Sequence, residues 1–218
     1  AIMVTIEVAG RAIRLLPQKA AFLPDTHTLL IADAHIGKAT SFRALGVPVP
    51  RGTTSETLSL IGELVARHDA RRVVFLGDFL HSARSHVAAT LDAVSRWRAL
   101  HPTLELVLVR GNHDDRAGDP PASLGFTVVD EPLMDGGLAM CHHPEAVAGA
   151  YVLAGHLHPC VSVHGRARER LRLPCFHFGA QVGVLPAFGS FTGMHPARVA
   201  PGDRVFAVAD DAVRELPT

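Results

Sequence analysis

The feature that most constrains this chain is a short apolar run that ends in polar side chains, which occurs five times. Nearly continuous apolar runs are typical of strands that are buried on both faces of an α/β sheet. Four runs cover residues 28–32, 73–76, 104–109 and 151–154, and the fifth lies in a hairpin at 133–140. Since ligands bind at the carboxyl ends of strands in open α/β sheets, we expect the polar side chains to meet there.

Each run is followed by side chains that bind metal ions in proteins. The five clusters are Asp33 with His35, Asp78 with His81, Asn112-His113-Asp114, His142-His143, and His156 with His158. The chain has 14 histidines, several times more than packing needs. This composition indicates metal binding or acid–base chemistry.

The order of elements predicts the fold class. Helical spacing of apolar residues predicts one helix from Thr54 to about His68 and another from about His86 to Leu100. Alternation from Val4 to Leu16 predicts a strand or hairpin, and residues 133–140 are interpreted as the hairpin partner of a strand at 126–129. We therefore expect an α/β (α+β) fold, a sandwich of two sheets flanked by helices, in a single domain over residues 1–218.

Charge and cysteine content indicate the cellular compartment but do not identify the substrate. The 21 basic and 21 acidic residues balance, so net charge neither suggests nor excludes DNA, and a polyanion would need a local basic patch. Three cysteines without C-x-x-C spacing predict neither a disulfide framework nor a zinc knuckle, which fits a reducing cytoplasm. We expect no signal peptide and no membrane span, because no apolar run is long enough.

The inventory of polar residues suits a dinuclear metal centre, in which two divalent ions lie roughly 3.5–4 Å apart. Asp33 and His35 can face one ion, and Asp78 can bridge both. The remaining candidate ligands are an amide oxygen and three imidazoles, from Asn112, His142, His156 and His158, with His143 as the alternative to His142. His113 is then available as a general acid, with Asp114 holding its tautomer.

The ordered motifs D-x-H, G-D-x-x-H, G-N-H-D, a histidine after a strand and G-H-x-H resemble the signature of the calcineurin-like metallophosphoesterases. The resemblance covers residues 28–158. It implies Asp33, His35, Asp78 and His158 on the first metal, and Asp78, Asn112, His142 and His156 on the second. Four short segments are also similar in detail to the bacterial DNA-ligase-associated branch of this family. They are residues 33–38, residues 77–82, Cys141-His142-His143-Pro144 and Leu185-Pro186-Ala187-Phe188-Gly189.

That branch implies a manganese-dependent phosphodiester hydrolase, a DNA endonuclease in DNA repair, with single-stranded or structured DNA as substrate and other repair proteins as partners. Iron and zinc suit the same ligands. Two alternatives stay open: a small-molecule or cyclic-nucleotide phosphodiesterase on the same centre, and a non-catalytic scaffold. A scaffold is disfavoured because the full ligand set and the acid histidine are present. His81 is a candidate substrate contact.

A basic segment is the candidate DNA contact. Four arginines alternate with other residues at the period of a strand, which predicts that their guanidiniums point to one side. These are Arg166, Arg168, Arg170 and Arg172. Such a stripe either follows a DNA backbone or protects an exposed sheet edge from pairing with another sheet.

Overall fold

Two β-sheets packed face to face form the centre of the described structure, and helices cover the outer face of the first sheet. The computed structural model describes residues 1–38, 46, 53–80, 88–111, 119–189 and 193–218. The predicted fold class, a two-sheet sandwich of mixed strands with flanking helices, is confirmed.

In the part of the chain that the structure describes, the first sheet contains seven strands in sequence order. They are β1 Val4–Val8, β2 Arg11–Leu16, β3 Ala20–Leu23, β4 Thr28–Ala32, β5 Arg72–Leu76, β6 Glu105–Arg110 and β7 Phe126–Asp130. The first four strands pair antiparallel, whereas β4 to β7 are parallel to one another. The parallel strands therefore all end at the same edge.

Among the described residues, the second sheet contains nine strands, all from the later half of the chain. They are β8 Leu133–Asp135, β9 Leu138–Cys141, β10 Tyr151–Ala154, β11 Pro159–His164, β12 Arg170–Phe178, β13 Val182–Val184, β14 His195–Pro196, β15 Arg204–Ala209 and β16 Ala212–Leu216. Their order is β14-β11-β12-β13-β10-β9-β8, with β15 and β16 joined through β12. The β9 and β10 strands are parallel, so they also end together.

The helices α1 Thr53–His68 and α2 Ala88–Leu100 pack on the first sheet through apolar side chains at helical spacing. Leu58, Ile61 and Leu64 of α1 join Val94 and Trp97 of α2 in one buried cluster with the outer face of the sheet. Both predicted helices are present, although residues 81–87, where the second was expected to begin, lie outside the described residues.

A second apolar cluster lies between the sheets. It joins β4, β5 and β6 to β9, β10, β12 and β15; its members include Leu30, Val74, Val107, Met140, Leu153, Phe176 and Phe206. Strands β4, β5 and β6 thus contribute alternate residues to two buried layers. This explains their continuous apolar runs, because both of their faces exclude water.

One predicted pairing is wrong. Residues 133–140 were interpreted as the hairpin partner of the strand at 126–129, but β7 pairs parallel to β6 in the first sheet. Strands β8 and β9 instead pair with each other around Gly136 and Gly137 and belong to the second sheet. The sheet assignment failed because local patterning does not determine which strand is the neighbour.

Among the described residues, no helix is both long and apolar enough to cross a membrane.

Candidate metal centre

The candidate ligands follow strands whose carboxyl ends converge from both sheets. Asp33 and His35 leave β4, and Asp78 follows β5 in the first sheet. His142 follows β9, and the segment with His156 and His158 follows β10 in the second sheet. Backbone hydrogen bonds connect these loops, from the His35 N–H to the Asp78 carbonyl (2.8 Å) and from the Gly155 N–H to the His142 carbonyl (3.1 Å).

The first group of converging side chains consists of Asp33, His35 and His158, whose potential ligand atoms all lie within 4.8 Å of one another. Asp33 is fully buried, and its Oδ1 lies 3.8 Å from Nε2 of His158. The Gly193 carbonyl lies 3.0 Å from Nδ1 of His158. If Nδ1 carries the proton that this carbonyl accepts, the Nε2 lone pair faces Asp33, where an ion could bind.

A second group of Asp33, Asp78 and His142 overlaps the first, and its ligand atoms also lie within 4.8 Å of one another. Oδ2 of Asp78 is 3.8 Å from Nε2 of His35 and 3.8 Å from Nε2 of His142. Asp78 therefore lies between the imidazole from the first sheet and the imidazole from the second. This is the position that a bridging carboxylate requires.

The far side of the centre is formed by a third group, His142, His143 and His156. Nδ1 of His156 lies 3.2 Å from Nε2 of His142, and the His156 N–H donates to Oδ2 of Asp33 at 2.8 Å. His142 is almost fully buried, with Nδ1 3.1 Å from the Leu76 carbonyl. The three groups share members and form one continuous cluster.

Between the two adjacent histidines, the geometry favours His142 over His143 as a neighbour of Asp78. Nδ1 of His143 lies 2.8 Å from Oε1 of Glu131, which holds that ring on the other side of His142. The other carboxylate oxygen of Glu131 accepts the backbone N–H groups of His142 and His143, at 2.9 and 3.0 Å. Glu131 thus fixes the backbone from which both imidazoles extend.

Sequence reasoning missed Glu131. Its signal was position, since it immediately follows β7, the fourth parallel strand of the first sheet, at the edge where the other acidic residues lie. The misassigned pairing of residues 126–129 hid this signal, because it placed Glu131 inside a hairpin.

Several candidate ligands have an unusual backbone conformation. Positive φ is uncommon for residues other than glycine and is typical of functional sites. Five of the residues in the cluster have it: Asp33 (52°), His35 (47°), Asp78 (44°), His156 (75°) and His158 (49°). The surrounding sheets hold these conformations, which turn each side chain inward at the end of its strand.

Two glycines allow the strand ends to approach this closely. A Cβ atom on Gly77 would lie 1.9 Å from Nδ1 of His142, and one on Gly155 would lie 2.7 Å from Oδ2 of Asp33. Any larger residue would therefore displace a candidate ligand. The glycines in the G-D and G-H motifs are needed for packing at the centre.

The donor set fits divalent metal ions. Oδ1 of Asp33 is buried and accepts no hydrogen bond from the residues that the structure describes. A buried carboxylate oxygen without a partner is costly, and a cation bound between Asp33, His35 and His158 would satisfy it. Mixed carboxylate and imidazole ligands suit manganese, iron or zinc.

The two histidines of the G-H-x-H motif have opposite protonation tendencies. The Asp33 carboxylate raises the pKa of His158 above its ordinary value. Burial lowers the pKa of His156, and the neighbouring imidazoles of His142 and His143 add to this effect. The metal-free protein therefore favours the neutral ring at His156 and the protonated ring at His158, and a metal ion requires the neutral form of both.

Four of the predicted site residues lie outside the described part of the chain: His81, Asn112, His113 and Asp114. Their predicted roles as substrate contact, metal ligand, general acid and tautomer-setting carboxylate therefore stay predictions. β6, the strand that precedes three of them in the sequence, ends at Arg110 beside the ends of β5 and β7.

The predicted geometry of the arginine stripe is wrong. Residues 166–168 form a 3-10 turn at the tip of the β11–β12 hairpin, with positive φ at Ala167 and Arg168. Only Arg170 and Arg172 lie on β12, and the guanidinium of Arg172 donates to the Met194 carbonyl at 2.7 Å. The four arginines are exposed, but they surround a hairpin tip instead of lining one face of a strand.

The fold and the site define a class of protein. The profile of the calcineurin-like phosphoesterase family matches residues 21–138, which is more than half of the chain. The chain therefore belongs to the calcineurin-like phosphoesterases, and it is a metal-dependent phosphodiester hydrolase.

A solved structure, the nuclease MPE of Pseudomonas putida, resembles the chain over nearly its whole length. The two share 42% sequence identity with a TM-score of 0.84, and the alignment covers 98% of this chain and 100% of that one. No curated protein matches the sequence.

Proposed function

We propose that this protein is a manganese-dependent DNA nuclease that cleaves internal phosphodiester bonds and acts in DNA repair in the cytoplasm. The observation that carries the proposal is the continuous cluster of buried carboxylates and imidazoles at the converging ends of the two sheets. Similarity to the nuclease from Pseudomonas putida supports a nucleic acid substrate. The DNA-ligase-associated sequence motifs support the repair role, and three free cysteines fit a reducing compartment.

The cluster would hold two ions. Asp33, His35 and His158 would hold the first ion, and His142 and His156 would hold the second. Asn112, which lies outside the described residues, is the further ligand that the sequence predicts for the second ion. Asp78 would bridge the two ions. Divalent ions bound there would lower the pKa of water and neutralise phosphoryl oxygens, which supplies a nucleophile and stabilises the charge that develops during hydrolysis.

The chain supplies orientation and proton transfer. The N–H of His156 fixes one oxygen of Asp33 and leaves the other directed into the site. Glu131 holds His142 and His143 by three hydrogen bonds. His113 would donate a proton to the departing alkoxide, with Asp114 setting its tautomer.

The arginines would contact DNA away from the scissile phosphate. The β11 strand begins just after His158 and has 6 residues. At about 3.3 Å per residue, the hairpin tip lies roughly 20 Å from the metal centre. Arg166, Arg168 and Arg170 could therefore neutralise phosphates only of a strand several nucleotides long.

The decisive experiment is cleavage of circular single-stranded DNA, hairpin DNA and duplex DNA, each with manganese, iron, zinc or magnesium. We expect linearisation of the circle, which requires internal cleavage, with manganese as the most effective ion. The Asp78→Asn variant should lose at least about 10²-fold in activity, because one anion between the cations is missing. Hydrolysis of small diesters without any DNA cleavage would contradict the nuclease proposal.

A second experiment tests the arginines. Changing Arg168 and Arg170 to Gln should weaken binding of a long oligonucleotide and flatten the slope of log affinity against log salt by about one to two units. Binding of a dinucleotide should not change, because it cannot reach the hairpin tip. Equal effects on both lengths, or none, would exclude the arginines as backbone contacts.

A further inference from the structure

A large cavity on the outer face of the second sheet is not used by the proposed chemistry. Its volume is about 1040 Å³, at the upper end of the range for small-molecule sites. Val182 and Val184 of β13 form one wall, and Val182 packs in the apolar cluster on the face of the sheet that points away from the first sheet. The cavity is therefore separate from the metal-binding cluster.

The cavity nevertheless shares a wall with the candidate metal centre. Leu157, between His156 and His158, lines the cavity with 45% of its surface exposed. His195 also lines it; its N–H donates to the His158 carbonyl at 2.9 Å, and the two rings are 6.3 Å apart between centroids. A strand bound at the metal centre would therefore reach this cavity with the next part of its chain.

The lining chemistry suits a neutral planar group rather than a phosphate. Apolar contact surface comes from Leu157, Val182, Val184, Pro144 and Pro196. Asp203 also lines the cavity, and its mostly buried carboxylate would repel a phosphate there. The exposed ring of His195 offers a face for stacking.

The cavity has one charged group in its wall, Asp203, and another at its rim, Arg198. Asp203 lies 2.7 Å from Nε2 of His177 and accepts the Ala200 N–H at 2.9 Å, which fixes a hydrogen-bonding group in the wall. Arg198 is exposed at the rim, where it could neutralise a phosphate that stays outside. A nucleotide has the matching distribution, with a neutral base and an anionic backbone.

We propose that this cavity is a subsite for an unpaired nucleobase next to the scissile phosphate, with its base between Leu157, Val182 and His195 and its phosphate near Arg198. The inference rests on the proposed nuclease function and extends it to unstacked, single-stranded substrate. Duplex DNA keeps its bases stacked and would have to extrude one to fill the subsite.

The test fills the cavity from an exposed position. Ala180 lines the cavity and is exposed, so Ala180→Trp adds volume without disturbing the core. Ala12→Trp is the matched control, because Ala12 is an exposed alanine on the first sheet. Each protein is assayed with an oligothymidylate, with an abasic oligomer of equal length, and with methyl p-nitrophenyl phosphate. Thermal unfolding midpoints of both variants establish that they are folded.

For the wild type, we expect a KM roughly tenfold lower for oligothymidylate than for the abasic oligomer, near the lower end of the effect of stacking one base. Ala180→Trp should abolish this difference in KM and leave hydrolysis of the small diester within about twofold of the wild type. Ala12→Trp should retain the difference in KM.

Equal KM values for the two oligomers in the wild type would overturn the subsite but not the nuclease function. An unchanged ratio of the two KM values in folded Ala180→Trp would have the same consequence. Absence of all oligomer cleavage beside normal diester hydrolysis would overturn the nuclease function as well.

Discussion

Gly77 shows at the scale of one residue how tightly the centre is built, since a Cβ there would lie 1.9 Å from Nδ1 of His142. We expect Gly77→Ala to destabilise the fold by roughly 1–3 kcal/mol, because φ is +76° and the imidazole must move. Activity should fall at least about tenfold as His142 is displaced. Urea unfolding and a diester assay measure both effects.

Gly10 provides the control for this prediction. Its φ is +72°, but nothing lies within 4 Å of an added Cβ. Gly10→Ala should lower the free energy of unfolding through the same backbone strain, and it should retain full activity. Similar losses of activity in both variants would show that the steric conflict with His142 is unimportant.

Glu131 acts through the residues that it holds. Glu131→Gln leaves a single carbonyl oxygen where two carboxylate oxygens accept three hydrogen bonds, so His142 should lose its fixed position. Substitutions of this kind typically lower metal affinity or activity about 10- to 100-fold. Metal titration followed by activity checks the prediction. Asp130→Asn changes the adjacent carboxylate, which is bound to Arg110, and should leave metal affinity unaltered.

At the scale of elements, ion pairs connect the β8–β9 hairpin to the first sheet. Arg11 of β2 and Arg72 of β5 both donate to the Asp135 carboxylate, and all three side chains are mostly buried. Asp135→Ala leaves both guanidiniums with fewer partners and should cost roughly 1.5–3 kcal/mol. Because His142 directly follows β9, metal affinity should fall too.

An exposed ion pair provides the control for the predicted loss of stability in Asp135→Ala. Arg204 and Glu215 join β15 and β16 at the surface, with about half of each side chain exposed. Glu215→Ala should cost less than about 1 kcal/mol. Equal unfolding free energies for the Asp135→Ala and Glu215→Ala variants would mean that the hairpin is held by apolar packing alone.

At the scale of the whole molecule, bound ions should stabilise the fold, because their ligands come from both sheets. Ligand at about 100 times its Kd adds roughly 2.7 kcal/mol to the free energy of unfolding. We expect manganese to raise the thermal unfolding midpoint and EDTA to reverse the effect.

The size of this stabilisation should depend on pH. The pKa of His158 is raised above its ordinary value of 6.5, so protonation of its ring stabilises the metal-free fold. This stabilisation is fully present below pH 6.5 and is lost as the pH rises through the raised pKa. Metal binding needs the neutral ring. The increase caused by manganese should therefore be larger at pH 8 than at pH 6, and a shift independent of pH would argue against His158 as a ligand.

Much of the fold and site could be predicted from local patterns. The runs at β4, β5, β6 and β10 are apolar because those strands are buried on both faces, and the candidate ligands come within a few residues after these strands and β9 in the sequence. Both helices followed from apolar spacing. These features depend only on neighbours in sequence, so the sequence alone determined them.

Tertiary structure decided what depends on partners distant in sequence. Strand β7 has the same local pattern whether it pairs with β6 or β8, and the competition between sheets selects β6. Glu131 becomes important only because that pairing brings it to His142. The arginines alternate as a strand would, yet the β11–β12 register places a turn at residues 166–168. Local patterns specify which face of an element is buried, whereas the choice of partner is a free-energy comparison over the whole chain.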